Sequence, residues 1–524
     1  MASIVETLNR NIIPLWRSYS QTASAGELAY NGNKVLPLRF DRFNDFLALW
    51  QSKHTVISAA DLINAAIISD NNTLPEVLKA AEFLCQNSNE CSYLALEIAR
   101  ALLEKPVITK DTSIVIEKSF DAKAISLIEI LDKQERETKA RIGLLKKQLR
   151  DFQYNAITYC ELSRCYSDLG ILDKAEQYML CAVQLAPHNR YVSRCAARFF
   201  VHNGKFSKAR KILISNGMIN SDPWLLASEI AVSTSMNRSS RLIKLGRQLA
   251  LSGNVSPFSS SELCFAICKE DLISGSRKDV QLMFNKGMID PNDNCLAQAE
   301  FFTKEYSKMY FDYDAYNRIT KKNEADTRNF YNLGKYEDAF LSSVKWMTDF
   351  RFSHEPIHFA FDIACTYLKK YDFSISVIKH WLLYNPHDYV MLNNIVYALC
   401  LSDKISEAEE YLSKIDLDKQ LVDKVENGIC LLATAGLLEY RKGNIQNGRN
   451  LYQLSIDTAK KHRKKELADK ARLNMIREEV HCVDEFDTSL LNEMKTLSTG
   501  NKTESDQLKK DILEEVEKRK YNNL

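Results

Sequence analysis

One stretch of this chain occurs twice, and its period limits the folds open to it. Tyr159, Leu162, Tyr166, Gly170, Ala175, Met179, Ala182 and Pro187 are followed, 34 residues later, by Ser193, Ala196, Phe200, Gly204, Ala209 and Leu213. The second copy frays towards Asn216 and Gly217. Tyr159, Leu162 and Tyr166 fall at i, i+3 and i+7, one face of a first helix. Gly170 ends that helix, because glycine takes the left-handed C-terminal conformation without steric cost. Ala175 marks a close approach of two helices, Met179 and Ala182 continue the inner face of the second, and Pro187 stops it. A single pair cannot bury its apolar face alone, so a period of this length demands stacked neighbours.

These positions resemble the tetratricopeptide repeat family at nearly every signature site of the first copy, with Ser163 standing where the family usually has glycine. The resemblance implies an all-α, right-handed superhelical α-solenoid of stacked helix–turn–helix repeats. It also implies a concave groove lined by the second, fifth, ninth and twelfth positions of each first helix. Here those are Ile157, Cys160, Arg164 and Ser167, then Tyr191, Arg194, Arg198 and Val201, with Asn393 and Tyr397 equivalent in a later copy. Arg194 and Arg198 are one turn apart, and Arg164 lies on the neighbouring helix. Arginine offers carboxylates and phosphates a planar bidentate fork, so Arg164, Tyr191, Arg194, Arg198, Asn393 and Tyr397 are the candidate partner-binding residues. Pairing with local acids such as Glu161 is the alternative for the arginines. The family's carboxylate-clamp pattern of lysines and asparagines is not reproduced.

The rest of the chain reads as a continuation of this period with flanking pieces. Residues 1–105 form an irregular N-terminal helical region, 106–121 a linker, 122–480 the solenoid, and 481–524 a charged C-terminal helical tail. In the first region a short helix is expected over 5–19. A break follows over 26–38, with Asn31-Gly32 as a turn and Pro37 as a stop. Phe40, Phe43, Phe46, Leu47 and Trp50 then share a face, and further helices are expected over 57–68, 75–84 and 93–103. Lys105-Pro106 opens the linker, and 122–152 reads as one long helical stretch or two helices.

Asn216-Gly217-Met218-Ile219 returns as Lys286-Gly287-Met288-Ile289 after 70 residues, about two repeats. Phe330, Gly334 and Ala339 keep the internal spacing, and residues 359–386 form a pair whose register admits alignments one or two residues apart. Asp403 stands at the turn-glycine position of the copy containing Ala408 and Leu412, and Gly436, Gly443, Gly448 and Tyr452 mark another. Eight or nine helix pairs are expected. Leu508, Ile512, Leu513 and Val516 give the terminal helix a weak apolar stripe, for docking back or for a partner.

Composition narrows the function. A net charge of +2 gives no global attraction to nucleic acid or anionic membranes. The segment Met1-Ala2-Ser3-Ile4-Val5-Glu6 lacks the character of a secretion signal. The longest nearly apolar run, 428–438, is 11 residues, short of the ~18 of a membrane span. The 13 cysteines are odd in number and helically spaced; Cys160, Cys165, Cys264 and Cys268 read as small apolar residues, which points to a reducing cytoplasm.

His354-Glu355-Pro356-Ile357-His358 matches the zinc-peptidase pattern H-E-x-x-H. Pro356 favours an extended Glu355 and a helix beginning at the proline, which leaves His354 outside and separates the two imidazoles. No Cys or His elsewhere has metal-ligand spacing, and no nucleotide-loop or nucleophile-elbow motif occurs, so no metal or cofactor is expected. The run Lys460-Lys461-His462-Arg463-Lys464-Lys465 is accompanied by Asp457, Glu466, Asp469, Glu478 and Glu479, as on a solvated face.

The function expected is a non-catalytic scaffold, adaptor or sensor subunit that binds a protein partner, as a peptide or a folded surface, in its groove. The texture is similar to that of large bacterial repeat proteins that serve as subunits of multi-protein systems, antiviral defence included. Two alternatives belong to other classes. One is a nucleic-acid-binding regulator using residues 460–465 with the groove arginines. The other is an enzyme with its site in residues 1–105, where no nucleophile–base pair or metal set is recognisable.

Overall fold

The computed structural model describes residues 10–17, 43–68, 74–91, 93–103, 119–151, 153–305, 309–500 and 502–522. The chain is an all-α solenoid, and no strand occurs among these residues. Phe40, the break over 26–38 and most of the linker lie outside them. Four helices, Phe43–Ser52, Val56–Ile68, Pro75–Gln86 and Tyr93–Leu103, pack consecutively on one another, around Trp50, Leu62, Ala80 and Ala99. The stretch over 122–152 is one helix, Phe120–Asp151.

The stack proper has nine helix pairs among the described residues, with first helices that begin at Ala156, Arg190, Pro223, Pro257, Asp293, Asn323, Glu355, Tyr389 and Val425. The helix Lys465–Cys482 closes the stack. In eight of the nine pairs the turn between the two helices uses one left-handed residue among the described residues, as at Gly170 (φ +67°), Gly204 (+69°) and Gly334 (+71°). Where glycine is lost the conformation persists, at Asn237, Lys369 and Asp403 (φ 54°, 55° and 57°). Backbone geometry therefore outlasts the residue that best tolerates it. Residues Ile363–Tyr367 form a π-helical turn, and the extra residue it accommodates shifts the register of residues 359–386 by one.

The second helices bury one stripe, such as Ala175, Met179 and Ala182 on Leu172–Leu185. The first helices are buried nearly all round: on Ala156–Asp168 the polar residues Glu161, Ser163, Arg164, Ser167 and Asp168 are buried as well. Three features cover that inner face. The superhelix winds until the first pair meets the pair at 355–382, and a Cβ on Gly170 would lie 2.0 Å from the Tyr384 carbonyl oxygen. The Phe120–Asp151 helix spans the seam: Arg141 reaches Glu161 at 2.7 Å, Arg351 donates to Thr138 Oγ1 at 2.8 Å, and Lys370 pairs with Asp121 at 2.9 Å. The third cover is residues 10–17.

At the other end the apolar stripe docks back. Leu508 and Ile512 of the Lys502–Asn522 helix pack against Leu473, Ile476 and Val480, while Leu513 faces outward. Lys470 pairs with Glu504, and His481 with Glu515 at 2.7 Å. Burial, with the nearby Glu504 carboxylate, pushes Asp362 up to about 7.

Gly170 and Gly204 hold the same turn, but nothing lies within 4 Å of a Cβ on Gly204. Gly204→Ala should cost the left-handed penalty alone, about 1 kcal/mol. Gly170→Ala should cost at least ~2 kcal/mol more, because it also wedges the seam apart. Urea-unfolding midpoints of the two variants check this; equal losses would show that the seam contact carries no energy.

Candidate functional site

The first helices present polar residues one turn apart, which places them on a common face. Asn294 and Gln298 lie on Asp293–Glu305, Glu324 and Arg328 on Asn323–Asn332, and Tyr191, Arg194 and Arg198 on Arg190–His202. Across this wall lies residues 10–17, Arg-Asn-Ile-Ile-Pro-Leu-Trp-Arg, without helical structure. The expected helix over 5–19 is therefore wrong over its described part. Pro14 has no N–H to donate and would clash within a helix, and the wall takes up the backbone carbonyls instead.

The segment is held along its main chain. Gln298 Nε2 donates to the Arg10 carbonyl at 3.1 Å, Asn294 Nδ2 to the Ile13 carbonyl at 3.1 Å, and the Tyr191 hydroxyl to the Arg17 carbonyl at 3.4 Å. Side chains fix its ends. Arg10 makes a bidentate pair with Glu324 at 2.7 and 2.9 Å, and donates to the side-chain oxygens of Gln298 and Asn294 at 2.9 and 2.8 Å. Arg17 pairs with Asp293 at 2.5 Å, lies 3.8 Å from Asp349, and stacks over Phe350 at 5.2 Å. Between them Ile12, Ile13, Pro14 and Trp16 are buried, and the Trp16 ring meets Phe199 and Phe352 at centroid distances of 6.0 and 5.3 Å. Asn11 donates to Ser235 Oγ at 2.9 Å.

Electrostatics concentrate on Glu324. Burial alone would raise its carboxyl, but the guanidinium groups of Arg10 and Arg328 outweigh burial and hold it at about 2. Burial and the Arg10 charge lower Arg328 despite its 2.9 Å contact with Glu324.

The six residues expected in the groove are distributed as follows. Tyr191 touches the segment directly. Arg194 is buried, donates to Glu262 at 2.9 Å and stacks over Trp224 at 4.8 Å; Glu262 in turn accepts from Asn294. Arg198 is half-buried, donates to Ser353 Oγ at 3.0 Å and lies over the Phe352 ring that Trp16 contacts. Arg164 pairs within its own helix with Asp168 at 3.2 Å. Asn393 and Tyr397 lie apart from these, against the later repeats: Tyr397 exchanges hydrogen bonds with Arg477 and Asn474, at 2.8 and 3.2 Å. The Asn393 Oδ1 is buried with no partner among the described residues.

Asn294, Gln298, Glu324 and the segment itself were not singled out by the sequence. Two signals were there: a proline inside the expected helix, and amide side chains four residues apart on a first helix.

The H-E-x-x-H stretch departs in detail from its expectation. The helix begins at Glu355, not at Pro356, and His354 has helical dihedrals (φ −74°, ψ −31°) as its cap. Proline is accepted in the first turn, where its missing N–H costs nothing, and the Glu355 carboxylate accepts from Ser353. His354 Nδ1 is 3.2 Å from Asp388, and burial with the neighbouring His354 lowers His358 to about 4. Among the described residues no group of three His, Cys, Asp or Glu side chains could hold a metal ion.

The basic run is exposed across the turn after Ile445–Lys461, where Lys464 pairs with Glu426. Glu478 and Glu479, expected beside it, are buried instead with Arg441 and Arg449, at 2.7 and 2.6 Å. The cysteines Cys160, Cys165, Cys264 and Cys268 are buried, and burial pushes Cys165 up to about 12 and Cys264 to about 11. No helix among the described residues is long and apolar enough to cross a membrane.

No protein-family model matches the chain, and no curated protein matches it. Among solved structures, the crystal structure of the yeast Tom70 is similar over 77% of this chain and 97% of that chain, at 15% sequence identity and a TM-score of 0.29.

The depressed Glu324 carboxyl sets a pH dependence. Its contribution, about 3 kcal/mol, is present above the ordinary carboxylate range and is lost as pH falls from about 4.5 towards 2. The stability gap between the wild-type chain and Glu324→Gln should therefore close over that range. Thermal unfolding midpoints across pH 2–7 measure it; a gap that is constant with pH would contradict the pairing.

Proposed function

We propose that this chain is a non-catalytic scaffold or adaptor of the tetratricopeptide type, whose groove binds an extended segment of a protein partner. One observation carries the reading: the wall already holds an eight-residue segment without helix or strand, residues 10–17, through three of its main-chain carbonyls. Main-chain hydrogen bonds supply affinity whatever the sequence, while pockets and charge sites select among ligands. Asn294, Gln298 and Tyr191 are the main-chain readers; Glu324, Asp293 and the Phe199–Phe352 slot are the selective sites.

In this reading Tyr191 and Arg198 contact the partner, and Asn393 and Tyr397 extend the surface into later repeats. Arg164 and Arg194 brace the wall through Asp168 and Glu262. No comparable support favours nucleic acid, since Arg194 is buried and Lys464 and Lys465 have carboxylate partners.

The test compares two double variants of the full-length chain in capturing its native partner. Asn294→Ala with Gln298→Ala removes two readers of the groove. Lys211→Ala with Arg238→Ala alters an open pocket built largely by the second helix Phe206–Ser215. The first should weaken capture at least tenfold at a temperature where circular dichroism shows it folded, and the second should leave capture intact. Capture that survives the groove substitutions but not the others would reject the reading.

A further inference from the structure

We propose, resting on the groove reading above, that residues 10–17 are a resident occupant which a partner segment of the same chemistry displaces. That partner segment is an extended peptide with two cationic side chains seven positions apart, as Arg10 and Arg17 are, around an apolar stretch with an aromatic ring. The charge pattern of the wall sets this chemistry. With the groove emptied, Glu324 would retain only Arg328, and Asp293 and Asp349 would both lose the Arg17 charge. An occupant lacking either cation therefore leaves a partly buried carboxylate uncompensated. The Phe199–Phe352 slot takes a flat ring at the position of Trp16.

The resident segment is suited to leaving. It shares no helix or strand with the wall, and its contacts are side-chain hydrogen bonds, ion pairs and ring packing. Its fit is incomplete: the Asn11 Oδ1 and the Trp16 Nε1 are buried with no partner among the described residues. A ligand that satisfies those two positions gains what the resident forgoes. Pro14 fixes its own φ and steers Ile13 away from helical dihedrals, which lowers the ordering lost on binding or rebinding. Attachment to the same chain gives it an effective concentration on the order of millimolar, so it excludes weak ligands and yields only to good ones.

A labelled synthetic peptide of residues 10–17 is the probe, and the full-length chain is the receptor. Asn11 and Ser235 are in side-chain contact, so Asn11→Cys with Ser235→Cys allows the segment to be locked by oxidation and freed by reduction in one protein. The reduced form should bind the probe at least ten times more tightly than the oxidised form. A second variant, Arg10→Ala with Arg17→Ala, should bind it at least ten times more tightly than the wild-type chain. If that variant fails to fold, the reduced and oxidised forms decide alone.

Equal affinity of the two redox forms overturns displacement; the groove reading survives that result if Asn294→Ala with Gln298→Ala abolishes probe binding. Absence of probe binding in every form, with partner capture still dependent on Asn294 and Gln298, overturns the ligand chemistry and spares the groove. Binding and capture that are both indifferent to Asn294 and Gln298 reject both. A concentration-dependent dimer of the reduced Asn11→Cys, Ser235→Cys chain that oxidation within one chain abolishes would assign the groove to a second copy, and would overturn the proposal.

Discussion

The pairing of Arg10 with Glu324, shared with Arg328, is the contact on which the inner face of this solenoid depends. A carboxylate in so enclosed a place would by itself take up a proton, and two guanidinium groups keep it ionised instead. One of those groups comes from within the stack and the other from a segment more than three hundred residues away in sequence. Removing either partner of such a pair leaves a charge that the interior cannot solvate. The charge of Glu324 is fully matched only with the Arg10 cation on it.

That requirement follows from how tightly the repeats wind. In an open array the inner positions of the first helices face water, and polar residues there need no partners. Here the first pair meets the pair at 355–382, with Gly170 against the Tyr384 carbonyl, and the Phe120–Asp151 helix braces the seam. Glu161, Arg164, Arg194 and Glu262 are buried as a result, and each is matched by an opposite charge. Closure thus converts a solvated groove into a lined slot, in which hydrogen-bonding side chains recognise a backbone and ring faces recognise an aromatic residue. The slot that buries these charges is also where residues 10–17 are held through their main-chain carbonyls.

The repeat was legible because its causes are local. A left-handed turn, a close helix crossing and an inner stripe each impose a residue type at a fixed distance, as at Gly170, Ala175 and Met179, and those distances survive as 34 residues. Asp403 could be matched to the turn position although glycine was gone, because the backbone still needs φ of 57° there. The π-helical turn Ile363–Tyr367 blurred the register, since it adds a residue without adding a pattern. The occupant of the groove was hidden for a different reason. Its partners Asn294, Gln298 and Glu324 are distant in sequence, and no spacing rule links Arg10 to Glu324. Pro14 was the local sign that residues 10–17 are not helical. Of the candidate arginines, Arg194 and Arg198 share the helix Arg190–His202 and Arg164 lies on Ala156–Asp168, but the charge of Arg194 is already matched by Glu262, which lies two pairs further along.

A double-mutant cycle between Arg10→Ala and Glu324→Gln, read as unfolding free energy in the full-length chain, tests the seating of the segment most directly. Groups in a shared, enclosed ion pair couple strongly, and distant ones do not. The two substitutions should be non-additive by more than about 1.5 kcal/mol at pH 7. Additivity within about 0.5 kcal/mol would contradict the account, because Arg10 would then not lie on Glu324 at all.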